Sequence, residues 1–420
     1  METDMIIVLI ILTLTIGLIV SDKIRLDLLA LLSAMSLGWS GVLTPGEVFS
    51  GFSSNAVIIM IALMIIASGF YKSGLSSMYT RLILSQSKES SSRLRLLFSV
   101  SAGFLAGIVQ NIGSAILTFP SIRQAAMARG FDPSRLIMPI GFAIIVGGTL
   151  TTVGTTPIVI AGDLLRVQGL EKFHFFESTP VGLLLLVMII AIYALLGRYL
   201  LPDTADKAAD HSVTLPESQL YGANENQPKP YAAIWVGGCI VLSIVMIVAG
   251  VSVTIAFFSA AIAMVLLRVL SLDDIYEAIE WRVVFIIAGL IPMGIAMQKS
   301  GSADYLAHYL FESISDLHLF IVFVIICTIA TLFSLVMTNI GMIVVLGPMV
   351  ISLADLLNVD TSSLLLMTAI CAANSFILPT HQVNAFIMIS GGYSSKDFLR
   401  AGLLPTIGFI LVVSTYFYWI

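Results

Sequence analysis

Charge is the scarcest property of this 420-residue sequence, in which 20 Lys and Arg and 25 Asp and Glu make up 11% of the chain, where a soluble domain carries roughly 25%. That shortage excludes an ordinary soluble enzyme. Cysteine is nearly absent: Cys239, Cys327 and Cys371 all fall inside apolar stretches, where a thiol is a packing residue, so neither a disulfide framework nor a thiolate metal site is expected. No basic run occurs, and a net charge of −5 dispersed along the chain argues against nucleic acid as a partner. The sequence also has no His-Glu-x-x-His motif, and Asp163 has no second intramembrane carboxylate to pair with. A membrane-embedded enzyme is therefore the weakest of the readings. Alternation of polar and apolar positions is missing from the long apolar stretches, which excludes a transmembrane barrel.

Apolar residues are what the chain has, at 58% of the sequence and a mean hydropathy of +1.03. A helix rising 1.5 Å per residue needs about 20 such residues to cross roughly 30 Å of hydrocarbon. The expected fold is an all-α polytopic membrane protein with the lipid bilayer as its solvent. Spans are expected at Met5–Val20, Leu28–Val42, Ala56–Tyr71 and Val181–Leu201, then at Ala232–Ala249, Val253–Leu270, Val283–Met297 and Ala401–Ile420. The first has an acidic leader and no small-residue cleavage site after it, so it reads as a span and not a signal peptide. Two apolar blocks, 94–128 and 319–357, carry polar centres at Gln110-Asn111 and Thr338-Asn339 and read as hairpins that enter and leave by one face. Two further spans, 136–165 and 364–390, are broken by Gly, Thr and Pro.

The two halves share this plan at residue level. At a shift of 228, Asn111-Ile112-Gly113 meets Asn339-Ile340-Gly341, Pro120 meets Pro348 and Asp132 meets Asp360. The chain thus reads as a first repeat at 1–201, a hydrophilic linker at 202–230 and a second repeat at 231–420. Five crossings per repeat insert the second copy upside down, the inverted-repeat plan of secondary transporters. With both termini outside and the linker cytoplasmic, all of the 20 Lys and Arg except Arg166, Lys172 and Lys299 fall inside. This is the distribution expected of a multi-pass protein of the cell (inner) membrane.

Breaks in a membrane helix are tolerated only where protein or water surrounds them. Asn111 and Asn339 lie at such breaks near the bilayer midplane. An Asn carbonyl beside freed backbone carbonyls suits Na⁺, although a single Asn also serves as glue between helices; two at equivalent positions favour a site. The segment 147–157 packs Gly147, Gly148, Gly154, five threonines and Pro157 into mid-span. Glycine and proline permit unwinding there, and Pro157 suits the first turn of a following half-helix whose amides favour an anion. Pro379-Thr380-His381-Gln382 breaks the equivalent span. His381 either donates to an anion, senses protons or closes a local hydrogen bond. No span centre carries a charged residue, so an anion must be held by amides, hydroxyls, helix ends and a co-bound cation.

These residues resemble a known family. Asn at both hairpin tips, the Gly-Gly-Thr-x-Thr-x-x-Gly-Thr-x-Pro loop and the stretch from Asn374 through Pro379 and Asn384-Ala385 to Asp397-Phe398-Leu399 look like the divalent anion:sodium symporters. Those proteins belong with the citrate transporter-like permeases to the ion transporter superfamily. The resemblance implies a homodimer, a fixed scaffold, and a transport domain moving as an elevator. It also implies Na⁺ as coupling ion, with no organic cofactor and no other metal, held by Asn111 with Gly148 at one tip and by Asn339 at the other; the breaks themselves add Gly147 and Thr338 as candidates beside them. By the same resemblance Asn111, Thr155, Pro157 and Asn339 would approach the small anionic substrate, and the polar tips and breaks add Gln110, Thr156, Thr338, Thr380, His381 and Gln382 as candidates. The family's dicarboxylate carriers typically have Ser-Asn-Thr at the tips, where this chain has Gln110-Asn111-Ile112 and Thr338-Asn339-Ile340. The expectation is symport of a divalent anion, dicarboxylate or sulfate. The alternatives are an exporter or a proton-coupled antiporter using His381.

Overall fold

A computed structural model describes residues 2–21, 23–86, 90–127, 129–202, 230–379 and 381–420. Residues 203–229 of the linker, and Thr380, lie outside the described residues. In chain order the helices are α1 (Glu2–Ser21), α2 (Leu26–Trp39), α3 (Pro45–Phe49), α4 (Asn55–Lys72), α5 (Leu75–Gln86), α6 (Ser91–Val109), α7 (Asn111–Met127), α8 (Ser134–Gly147), α9 (Thr156–Val167) and α10 (Thr179–Leu200). After the linker come α11 (Pro230–Val248), α12 (Val253–Leu266), α13 (Leu272–Ala278), α14 (Trp281–Lys299), α15 (Ser302–Ile314), α16 (Leu319–Val336), α17 (Asn339–Leu357), α18 (Thr361–Cys371), α19 (Gln382–Gly391) and α20 (Ser395–Trp419). There is no strand among the described residues. Nine helical segments among them are long and apolar enough to cross a membrane.

Each expected span has its helix, with ends set by local chemistry. Ser54 caps α4 by accepting from Val57 N at 3.3 Å, and Asp360 caps α18 by accepting from Ser363 N at 2.7 Å. Ser271 with Asp274 and Ser394 with Asp397 close capping boxes on α13 and α20. Both interrupted blocks are helix pairs, α6 with α7 and α16 with α17, that meet at a short break. The second broken span differs from expectation. Its first helix ends at Cys371, so the described unwound stretch starts at Ala372, well before Pro379. Ser334 of α16 donates to Ala372 O and Asn384 of α19 donates to Leu378 O, while Asn374 of the stretch itself donates to Thr331 Oγ1 on α16 and to Thr406 O on α20, in place of helical bonds.

The helices pack as two groups. One gathers α1, α2, α4, α11, α12 and α14; the other gathers the hairpins, the broken spans, α10 and α20 around Phe142, Phe376 and Phe398. They meet where α17 lies against α14 and α15, and where α9 lies against α4. The membrane offers helices no hydrophobic drive to associate, so small residues and interhelical hydrogen bonds carry such contacts.

Candidate functional site

The first hairpin turns on a single residue. Gln110 ends α6 with φ 66° and ψ 165°, a region almost exclusive to glycine, and its side-chain amide reaches the Met60 thioether on α4. Asn111 opens α7 and is 6% exposed. Its Nδ2 donates to Ile145 O at 3.4 Å, while Oδ1 has no partner. A carbonyl only accepts, so this bond fixes which end of the carboxamide carries the oxygen. Gly148 lies directly against that oxygen, where any Cβ would collide with it. Gly147 is elsewhere, pressed on the Gly103 backbone of α6, and it holds the hairpin to α8 without lining the site.

Beyond Gly148 the first break is satisfied by its own threonines, as its composition leads one to expect. Thr149 Oγ1 donates to Val146 O at 2.7 Å, Thr151 Oγ1 donates to Gly107 O, and Thr151 Oγ1 accepts from Gly154 N at 3.1 Å. The chain re-enters helix at Thr156 with Pro157 in the first turn. At the second tip Thr338 caps α17, its hydroxyl accepting from Gly341 N at 3.1 Å. Asn339 Oδ1 differs from Asn111 Oδ1 because it is met by the Ser334 hydroxyl at 2.9 Å. His381 caps α19: Nδ1 accepts from Val383 N at 3.1 Å.

One cavity of about 370 Å³ collects these elements. Gln110, Asn111, Thr155, Thr156, Pro157, Thr338, Asn339, His381 and Gln382 all line it. Its wall therefore contains the first residues of four helices, α7, α9, α17 and α19, whose N-termini carry partial positive charge and unmatched amides. Sequence reasoning missed Gly154, Met60 and the trio Glu277, Glu280 and Arg282, which also line the cavity. Arg282 was legible only as a topology signal, and Met60 only as an apolar residue in a span. Glu280 precedes α14, where burial pushes its carboxyl pKa above the usual range while the Arg282 charge pulls it back. No group of His, Cys, Asp and Glu among the described residues is arranged to hold a metal ion. Apart from the Glu277 and Glu280 carboxylates, the oxygens lining the cavity are amides, hydroxyls and carbonyls, and those at the hairpin tips are a set suited to an alkali cation.

A family model described as citrate transporter (CitMHS) matches residues 16–329. Among curated proteins, the chain is 34% identical over 202 residues to an uncharacterized transporter, YfbS, of Escherichia coli K12, covering 48% of this chain and 33% of the relative. The chain thus spans about a third of that relative's length. It is 22% identical over 433 residues to the sodium-dependent dicarboxylate transporter SdcS of Staphylococcus saprophyticus, covering 94% of this chain and 82% of that one. Among solved structures, the YdaH transporter of Alcanivorax borkumensis superposes with a TM-score of 0.59 at 13% identity, covering 89% of this chain and 86% of that one. At that identity the likeness speaks for the fold alone.

Proposed function

Because this chain belongs to the citrate transporter family, and is a transporter and not an enzyme, we propose that it couples Na⁺ to symport of a small divalent anion, a dicarboxylate or sulfate. The observation that carries this is the cavity wall: four helix N-termini around one space whose charged side chains, Glu277, Glu280 and Arg282, give it no excess of positive charge. Such a wall attracts an anion through backbone amides and dipoles. It retains a divalent anion best when a cation shares the site. Asn111 Oδ1, buried, fixed in orientation and unpartnered, is an oxygen that such a cation would satisfy, with Gly148 leaving room beside it. Thr338 and Asn339 would serve the second tip. The relative whose name specifies sodium-dependent dicarboxylate transport supports both the ion and the substrate class.

The same reading keeps the inverted repeats at 1–201 and 231–420, a homodimer, and an elevator movement of the hairpin-bearing group against the other. It places both termini outside the inner membrane and the linker in the cytoplasm. Exchange driven by titration of His381 is disfavoured, because protonating Nδ1 would remove the acceptor that caps α19. Uptake of labelled succinate, citrate or sulfate into proteoliposomes should collapse when external Na⁺ is replaced by K⁺ or choline. Equal uptake in all three media would end the coupling proposal. Asn111→Ala is expected to lose most of the Na⁺ dependence while remaining folded.

A further inference from the structure

We propose that the second broken span holds a cation site of its own, for a monovalent cation of the Na⁺ class, built from Asn374, Ser375, Asn384 and Thr406 and separate from both hairpin tips. Asn374 and Asn384 are each 0% exposed. The Nδ2 of Asn374 donates to Thr331 Oγ1 at 3.1 Å and to Thr406 O at 3.3 Å. The Nδ2 of Asn384 donates to Ser375 O and, at 3.1 Å, to Leu378 O. Backbone carbonyls only accept, so neither carboxamide can be turned over, and both Oδ1 atoms are fixed where they are. Both are without a partner, and so are the hydroxyls of Ser375 and Thr406, at 0% and 5% exposure.

The bonds tie these four side chains together. Asn374 precedes Ser375 and holds the carbonyl of Thr406, and Asn384 holds the carbonyl of Ser375. On α20, Gly402 presses directly on the Phe376 carbonyl, which keeps Thr406 seated against the unwound stretch. Buried acceptors are rarely left unmatched. Amide and hydroxyl oxygens without any carboxylate suit a monovalent cation better than a divalent one. Asn111 has the same signature at the first tip, whereas its repeat counterpart Asn339 is met by Ser334. In the second half, four of the unmatched oxygens thus lie in or beside the break and none is that of Asn339 at the tip. Only the choice of cation rests on the Na⁺-coupled reading.

The test is the Na⁺ dependence of thermal stability of the purified, substrate-free protein, with choline holding ionic strength constant and K⁺ as comparison. Ser375→Ala and Thr406→Val remove one oxygen each with little change of shape. Each should shift the Na⁺ midpoint upward by roughly tenfold, and Asn111→Ala should leave a Na⁺-dependent stabilisation in place. If wild type responds to Na⁺ but Ser375→Ala and Thr406→Val keep its midpoint, this site is refuted and the coupling reading stands. If wild type shows no specific response to Na⁺ or K⁺, both fail together, and the four oxygens are hydrated by buried water. Should Asn374→Ala or Asn384→Ala fail to fold, the two conservative variants still decide the matter.

Discussion

Gln110 holds a backbone geometry that a side chain makes unfavourable by about 1–3 kcal/mol. It does so at the point where the first hairpin faces the cavity, with its amide on Met60 and its neighbour Asn111 opening α7. Strain of this kind persists only where surrounding contacts impose it, and it concentrates at sites where a side chain has work to do. Gln110→Gly would relieve it, although glycine gives back up to about 1 kcal/mol through a more disordered unfolded chain. The expected net result is a protein more stable by about 1 kcal/mol in thermal or denaturant melts, with weaker anion uptake because the amide is gone. A less stable Gln110→Gly would show that the geometry is not strained. The sequence marks Gln110-Asn111 as a polar interruption but cannot say which of the two occupies the turn. That distinction depends on the angle at which α6 and α7 must meet to pack on α8.

Four helix starts make the site, and the sequence disclosed them unequally. Pro157 announces α9 because proline without an N–H fits a first turn, and the paired Asn-Ile-Gly triplets announce α7 and α17. The start of α19 was readable from Pro379 to Gln382, but the end of α18 was not. Cys371 to Phe376 is uninterrupted by proline or glycine, and the helix stops there because Ser334 and Asn384 bind the unwound carbonyls of Ala372 and Leu378 from a distance and Asn374 is held to Thr406 O. The amphipathic α5 and α15 escaped an apolar-span search for the opposite reason, being too polar to look like crossings. Charged cavity residues at the entry to α14 were equally hidden, since only tertiary packing brings Glu280 beside the hairpin tips. Its raised pKa means the folded protein binds a proton more readily than the unfolded chain. That contribution is fully present below the usual carboxylate value of 4.5 and is lost as pH rises through the higher folded value. Glu280→Gln should therefore melt at the same temperature as wild type near pH 4 and above it near pH 7. A difference of the same size at both values would trace the effect to packing and not to charge.

At the scale of the whole molecule, the proposed movement requires contacts between the two helix groups that are strong enough to define a state yet able to break. Asp163 on α9 is such a contact. One carboxylate oxygen accepts from Asn55 Nδ2 at 2.9 Å and the other from the Ala56 backbone N–H at 2.9 Å, while Thr254 Oγ1 donates to Asn55 Oδ1 at 3.1 Å. Lys172 Nζ stands 3.4 Å from the first oxygen. This interlock joins the broken span to the N-terminus of α4, where the helix dipole also favours the carboxylate. The cavity's charged residues gather toward the opposite end of α4, near the Lys72–Asp274 ion pair. An 18-residue helix is about 27 Å long, so its N-terminal end is fastened while its middle, from Met60 to Ala67, borders the cavity. Asp163→Ala removes the acceptor from Asn55 and Ala56 and should destabilise the fastened state by about 1–3 kcal/mol. A cysteine at Gln382 reports the outcome, because Gln382 is exposed in the cavity and the three native cysteines are buried. In membrane vesicles, labelling of that cysteine by an impermeant maleimide applied on the Asn55 side should rise roughly tenfold, as a shift of about 1.4 kcal/mol in a two-state balance requires. Asp163→Asn, which keeps one acceptor, should fall between. If labelling from that side stays at the wild-type rate while the melting temperature drops, Asp163 caps α4 and fastens nothing that moves.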